Sequence, residues 1–422
     1  MAVNFANPID FRAIAPLPAA SIQGALVGDS RCANSHLLSG ASLASNGIAF
    51  WVEALSRGRV RFPGTMNFGV SGDTTDNVLA RMAPVIASSA SFAIILVSVN
   101  DTIGSTNTLA QRQANLLSII TQTRNSGKVV ILVSELPVGG GTTASFTGTK
   151  LDQHMAMAQY ARYLAGSMAN VFLADPWPSM VQSADATGTP ISGMLADGLH
   201  QTATGAYNIA VEVCRVINTI YPELSLLLPS SAADLYSAIN TTGNLIANCA
   251  MSGAGGTTGT GGSGSVATSF SLLTTEAAMT VVGSKVTAGN KTWQQLVVGG
   301  TPTGGAPFAA LNQNFSAANL TAGDVIEAVC EFELDAGASG VLLPYLQIGS
   351  SNANAWSGAS ATATLGGAPN LSISGIMRSP RLTVPSGIAS TVFRFAVPGI
   401  QNVTASATVR VGKLAVRKVP PL

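Results

Sequence analysis

Charge is scarce in this 422-residue sequence: Asp, Glu, Lys and Arg make up only 10%, and 21 basic side chains nearly cancel 20 acidic ones. No run of Lys or Arg forms the footprint that nucleic acid or an anionic membrane surface requires, so neither is expected as a partner. Long apolar runs are also missing. Phe92 to Val97 and Val129 to Val133 are far shorter than a bilayer crossing and read as buried strands, so no membrane span is expected. Met1 to Gly24 lacks a basic segment followed by an apolar core, so no secretory signal is visible. The four cysteines, Cys32, Cys214, Cys249 and Cys330, lie far apart without CxxC or CxH spacing. That pattern argues against a zinc site or a redox pair and for buried free thiols. No metal and no cofactor is expected.

What is abundant is apolar: 47% of the chain, well outside the composition of disordered proteins. A chain of this length exceeds what one core usually organises, so two domains are the prior. From Gly24 to about Pro222, short β-branched runs alternate with longer stretches of helical apolar spacing, the signature of βα units and a parallel sheet. Strands are predicted at Ala25 to Val27, Met66 to Phe68, Phe92 to Val99, Lys128 to Ser134 and Val171 to Ala174. Helices are predicted at Leu43 to Ser56, Thr75 to Ala87, Leu109 to Thr123, Leu151 to Met168 and Ala203 to Ile220. The boundaries this implies are an N-terminal arm over 1–23, an α/β domain over 24–228, a linker over 229–242 and a β-sandwich of jelly-roll type over 243–422. The Gly/Thr/Ser tract from Gly253 to Gly264 is predicted to be a loop or linker.

Only His36, His154 and His200 can supply an imidazole base. His154 falls within a predicted helix and reads as a half-exposed surface residue; His36 reads as structural or solvent-exposed. His200 stands in Asp197-Gly-Leu-His200 before the last helix, where an acid three residues earlier can reach Nδ1 and leave Nε2 free as a base. Asp197 could equally cap a turn. The first strand runs into Gly28-Asp29-Ser30, which places a serine hydroxyl at the carboxyl end of a strand, although Asp29-Ser30 also suits a simple helix cap. Two further turns, Gly69-Val-Ser-Gly72 and Ser98-Val-Asn100-Asp101, follow the next strands. With strand order 2-1-3-4-5, Ser30, Gly72 and Asn100 converge on one crevice. There the Ser30 and Gly72 amides and the Asn100 carboxamide can serve as oxyanion donors for ester hydrolysis.

These blocks, in this order, resemble the SGNH or GDSL hydrolases over about the first 220 residues. The resemblance implies a flavodoxin-like α/β/α sheet with esterase, lipase or carbohydrate-esterase activity. It further implies Ser30 as nucleophile, His200 as base, Asp197 as its orienter, and Gly72 and Asn100 as oxyanion donors. Two positions depart from the pattern: Arg31 where Leu is usual, and Ser98 where a glycine is usual. A cation at 31 would favour polar or anionic substrates, and Ser98 puts the backbone pose of Asn100 in question.

Asn244 to Asn248, the glycine tract and Ser265 to Ala267 resemble the start of β-sandwich modules that follow such hydrolases in bacterial and phage-tail proteins and bind carbohydrate. Trp293, Tyr345 and Trp356 are then candidate sugar platforms, although such aromatics more often belong to the core. The expectation is a serine esterase releasing acyl, foremost O-acetyl, groups from a polysaccharide, in an extracellular or virion-associated setting. A homo-oligomer is possible, a trimer if the protein is tail-associated. The alternatives are a catalytically silent carbohydrate-binding or phage-tail structural protein, and a lipase or thioesterase acting on small acyl substrates.

Overall fold

A computed structural model describes residues 22–37, 42–139, 146–183, 187–222, 228–229, 231, 233–288, 291–350, 353–359 and 366–420. Most of the expected N-terminal arm lies outside the described residues. The first sheet is parallel throughout. Ile22–Gly28 pairs on one side with both Val60–Arg61 and Asn67–Gly69 and on the other with Phe92–Leu96, followed by Val129–Val133 and Val171–Ala174. This is the 2-1-3-4-5 order read from the sequence, with the two-residue strand at Val60–Arg61 added at the edge.

The strands are apolar on both faces because helices cover both. Leu26, Ile94, Leu96, Ile131 and Val133 face one core with Trp51, Ile209 and Val213; Ala25, Val27, Ile95, Val130 and Leu132 face the other with Val78, Leu116, Ile119 and Met157. This is the pattern of a strand buried on both sides.

Two predicted helices are corrected. The one expected over Leu43 to Ser56 is shortened to Ile48–Leu55, and Leu43–Ala44 instead forms a strand that pairs in parallel with Asn354–Ala359 of the second half. The one expected over Thr75 to Ala87 divides into Thr75–Ala80 and Met82–Ala87. At the break, the Arg81 guanidinium turns back to donate to Asp73 and to the carbonyls of Phe68 and Gly28.

The second half is a β-sandwich of two mainly antiparallel sheets, each of seven strands among the described residues, Leu43–Ala44 supplying one of them. Phe270, Phe393 and Phe395 on one sheet and Phe332, Val409 and Leu414 on the other are fully buried members of a single apolar cluster. The glycine tract is not a loop: Gly255–Thr258 and Gly262–Gly264 are strands paired with Val266–Thr274 and Met279–Ala288. Backbone pairing to these neighbours overrides the weak strand preference of glycine.

The two halves share an interior. The same apolar cluster contains Ile48 and Trp51 of the helix beneath the first sheet together with Phe332 and Ile373 of the sandwich. Across that junction Glu327 bonds Arg61 at 2.6 Å and Arg378 at 2.5 Å, all three buried. Among the described residues, no helix is long and apolar enough to cross a membrane.

Candidate active site

The first strand ends at Gly28, where a Cβ would fall 1.9 Å from the Leu96 carbonyl oxygen, so only glycine lets the two strand ends approach this closely. Asp29 then caps the short Ser30–Ala33 helix by accepting from the Arg31 amide. This leaves the Ser30 amide among the first-turn donors that a helix cannot satisfy itself.

The Ser30 hydroxyl donates to His200 Nε2 at 2.8 Å, and His200 Nδ1 donates to Asp197 Oδ2 at 2.7 Å. The other carboxylate oxygen of Asp197 accepts the backbone amides of Leu199 and His200, at 3.0 and 2.8 Å. Partial burial pushes the Asp197 carboxyl up, but these amides and the imidazole outweigh it and hold the group down at about 2. Asp197 is therefore an anion throughout the neutral range. Behind it, Thr202 caps the Ala203–Ile220 helix and fixes the turn that carries His200.

The turns that carry Gly72 and Asn100 are tied to each other. The Asn100 side chain donates one N–H to the Asp73 carbonyl at 2.9 Å, leaving its second N–H for another acceptor. Gly72 has φ +86 and open space where a Cβ would stand, which suits a backbone amide presented to a ligand. Asp101 is buried and accepts the backbone amide and hydroxyl of Thr75, at 2.8 and 3.0 Å, locking the turn after Phe92–Leu96 to the helix that follows Gly72. Beside the site, Val99, Phe146 and Leu199 are buried against one another.

The expected role of Arg31 in meeting substrate is corrected. Its side chain is fully buried, with two bonds to Asp29, at 2.9 and 2.7 Å, and two to Glu135, at 2.7 and 3.3 Å. Burial works against the charge, but the two carboxylates outweigh it and raise the guanidinium pKa, so the cation points inward and stays charged. Ser98 keeps the glycine-like conformation of the pattern, φ +131 and ψ −7, which costs a non-glycine residue on the order of 1–3 kcal/mol. Its hydroxyl donates to Glu135 Oε1 at 2.8 Å. Glu135 was not singled out from sequence. The available signal was an acid directly after an apolar strand, in Ser134-Glu135-Leu136, where burial demands a cationic partner.

Trp293 is corrected as well: it is buried, and its ring lies where a Cβ on Gly412 would stand, so it belongs to the sandwich packing. Tyr345 is half-buried on Tyr345–Ser350. Trp356 lies on Asn354–Ala359, and its side chain falls outside the described residues.

His154, read as a half-exposed surface residue, is buried; Nε2 donates to the Leu136 carbonyl at 2.7 Å and the ring meets Phe146 edge-on. His36 is structural, with Nε2 2.9 Å from the Phe62 carbonyl and Nδ1 3.0 Å from the Asn67 carboxamide nitrogen. All four cysteines are free and buried. Among the described residues, no group of three or more His, Cys, Asp or Glu side chains is arranged to hold a metal ion.

Residues 26–207 match the family model described as the GDSL-like lipase/acylhydrolase family. The similarity to that family thus covers the parallel sheet and its helices. Solved structures with similarity include the lipase/acylhydrolase from Enterococcus faecalis, 22% identical, covering 48% of this chain and 97% of that one with a TM-score of 0.38. Another is a catalytic mutant of Axe2, an acetylxylan esterase from Geobacillus stearothermophilus, 20% identical, covering 48% and 97% with a TM-score of 0.36. A third is TesA, 21% identical, covering 47% and 98% with a TM-score of 0.34. No curated protein matches the chain at a significant level.

Proposed function

We propose that the protein is a serine esterase that removes small acyl groups, foremost acetyl, from a carbohydrate. The observation that carries this reading is the continuous chain from the Ser30 hydroxyl through His200 to the Asp197 carboxylate, with links of 2.8 and 2.7 Å. In the proposed reaction Ser30 Oγ attacks the acyl carbon while its proton passes to His200 Nε2. Asp197 stabilises the imidazolium that forms and keeps its proton-bearing Nδ1 turned inward. The oxyanion is received by the Ser30 and Gly72 amides and the free N–H of Asn100. Collapse of the tetrahedral intermediate expels the sugar alkoxide, which takes the proton from Nε2. Water, deprotonated by the same nitrogen, then releases the acid.

The carbohydrate part of the proposal rests on the sandwich that shares an interior with the hydrolase domain.

The test measures acid released from an aryl acetate, an aryl decanoate and a panel of O-acetylated polysaccharides, with native protein and with Ser30→Ala. The expected result is turnover of the aryl acetate and of at least one polysaccharide, with both abolished in the folded variant. Equal turnover in Ser30→Ala would defeat the nucleophile assignment. A preference for the decanoate would replace the carbohydrate reading with a lipase or thioesterase. Glycan binding without turnover would point to a silent binding protein.

A further inference from the structure

The two departures from the family pattern meet a single carboxylate. Glu135, at the end of Val129–Val133, is buried, and it accepts from Arg31 Nη1 at 2.7 Å and from the Ser98 hydroxyl at 2.8 Å. Arg31 in turn holds Asp29 through two side-chain bonds, and its backbone carbonyl accepts from the buried Gln201 carboxamide at 2.8 Å. Each residue joined to this hub adjoins a group assigned above to the reaction. Asp29 and Arg31 flank Ser30, Ser98 stands two residues before Asn100, and Gln201 follows His200.

From this arrangement we infer that the buried Arg31–Glu135 pair is a positioning device, which sets the turns of Ser30, Asn100 and His200 in register so that the oxyanion donors are aimed before substrate binds. The inference rests on the esterase reading above.

A purely stabilising role fits the observations less well. A buried ion pair is weak evidence for stability, since well-packed apolar residues in its place are often neutral or better. Ser98 is also held in a conformation that glycine adopts without strain, so its gain lies in the bond from its hydroxyl. A stabilising pair has no reason to link three turns that each carry a group of the proposed reaction. A positioning pair does, because small misplacements of reacting groups are costly in rate.

Ser98→Gly separates the two roles: it relieves the backbone and removes only the bond to Glu135. Positioning predicts an unchanged or higher thermal midpoint, kcat on an aryl acetate lower by roughly 10- to 100-fold, and KM within about twofold. The rate at which a fluorophosphonate labels Ser30 should fall in parallel, because that reaction uses the same donors. Glu135→Gln, which keeps an acceptor for Ser98, should retain more turnover than Glu135→Leu. The triple variant Asp29→Asn/Arg31→Leu/Glu135→Leu removes the three buried charges together, so it should fold and still lose kcat; if it fails to fold, Ser98→Gly decides alone.

Ser98→Gly with kcat and labelling at the native level would overturn the positioning role while leaving the esterase intact. A native protein that neither labels at Ser30 nor hydrolyses the ester would overturn the esterase reading, and this one with it.

Discussion

Replacing Glu327 with Ala should destabilise both halves of the protein together. Glu327 is buried on Val325–Leu334, with one oxygen 2.6 Å from Arg61 Nη1 of the hydrolase sheet and the other 2.5 Å from Arg378 Nε of the neighbouring sandwich strand. Arg381 Nε lies 3.6 Å away. A second buried acid that acts on Arg61 and Arg378 is Glu53. Burial pushes its carboxyl up while Arg61 and Arg378 pull it down, and one of its oxygens accepts the Phe62 amide at 2.7 Å. Removing Glu327 thus leaves three guanidinium groups near one partly committed carboxylate. Stranding buried charge in this way costs about 3–5 kcal/mol. A solvent-exposed pair such as Arg215–Glu212, at 3.0 Å, supplies the control, because Glu212→Ala should cost no more than about 0.5 kcal/mol.

The assay is urea unfolding followed by tryptophan fluorescence and, in parallel, by turnover of an aryl acetate. Trp51 is a useful reporter: it is fully buried on Ile48–Leu55, whose far side packs against the sandwich, and its indole N–H donates to the Ser45 carbonyl at 2.8 Å. Because one apolar cluster runs through both halves, fluorescence and activity should be lost in one transition, shifted to lower urea in Glu327→Ala. A loss below about 1 kcal/mol, on the scale of exposed pairs, would refute the reasoning. So would a hydrolase that unfolds separately with its midpoint unmoved. Single-transition behaviour also predicts that a chain ending near residue 242 does not keep a native hydrolase half, since Leu43–Ala44 would lose its partner strand and Arg61 its acid.

Three shorter predictions concern the site and the thiols. Asp197→Asn should lower kcat by about a thousandfold or more, read from steady-state turnover at neutral pH, because an amide can hold the wrong imidazole tautomer. Asn100→Ala should cost roughly 2.7–4 kcal/mol of barrier, about 10²–10³ in kcat with KM little changed, if its carboxamide is an oxyanion donor. None of the four thiols should react with an aryl disulfide reagent in the native state, and all four should react in guanidinium. All are buried, and burial pushes Cys32 and Cys214 up to about 12.

The central strands of the first sheet were legible because they are short apolar runs with helices on both faces, a local signal that needs no knowledge of distant residues. Phe92–Leu96 and Val129–Val133 are of this kind, whereas the two-residue strand Val60–Arg61 carries no such run. The boundary at Leu43 was not, because those two residues take strand form only through a partner near the far end of the chain. The glycine tract failed for the same reason: its strands are held by neighbours rather than by propensity.

Arg31 shows how such a misreading can be repaired by physics. Beside a surface nucleophile a guanidinium reads as a substrate contact, and whether it turns out or in depends on whether water or a buried acid receives it. The acid is Glu135, 104 residues further on. An unpaired buried cation is too costly to keep, so an inward arginine next to a strand end implies an acid at another strand end of the same sheet. Two acids follow apolar strand runs closely, Glu135 after Val129 to Val133 and Asp175 after Val171 to Ala174, and Asp175 is paired with Arg162. The parallel sheet therefore narrows the partner of Arg31 to strand-end acids without choosing between Glu135 and Asp175, and it offers none where the partner comes from outside the sheet, as Glu327 does for Arg61.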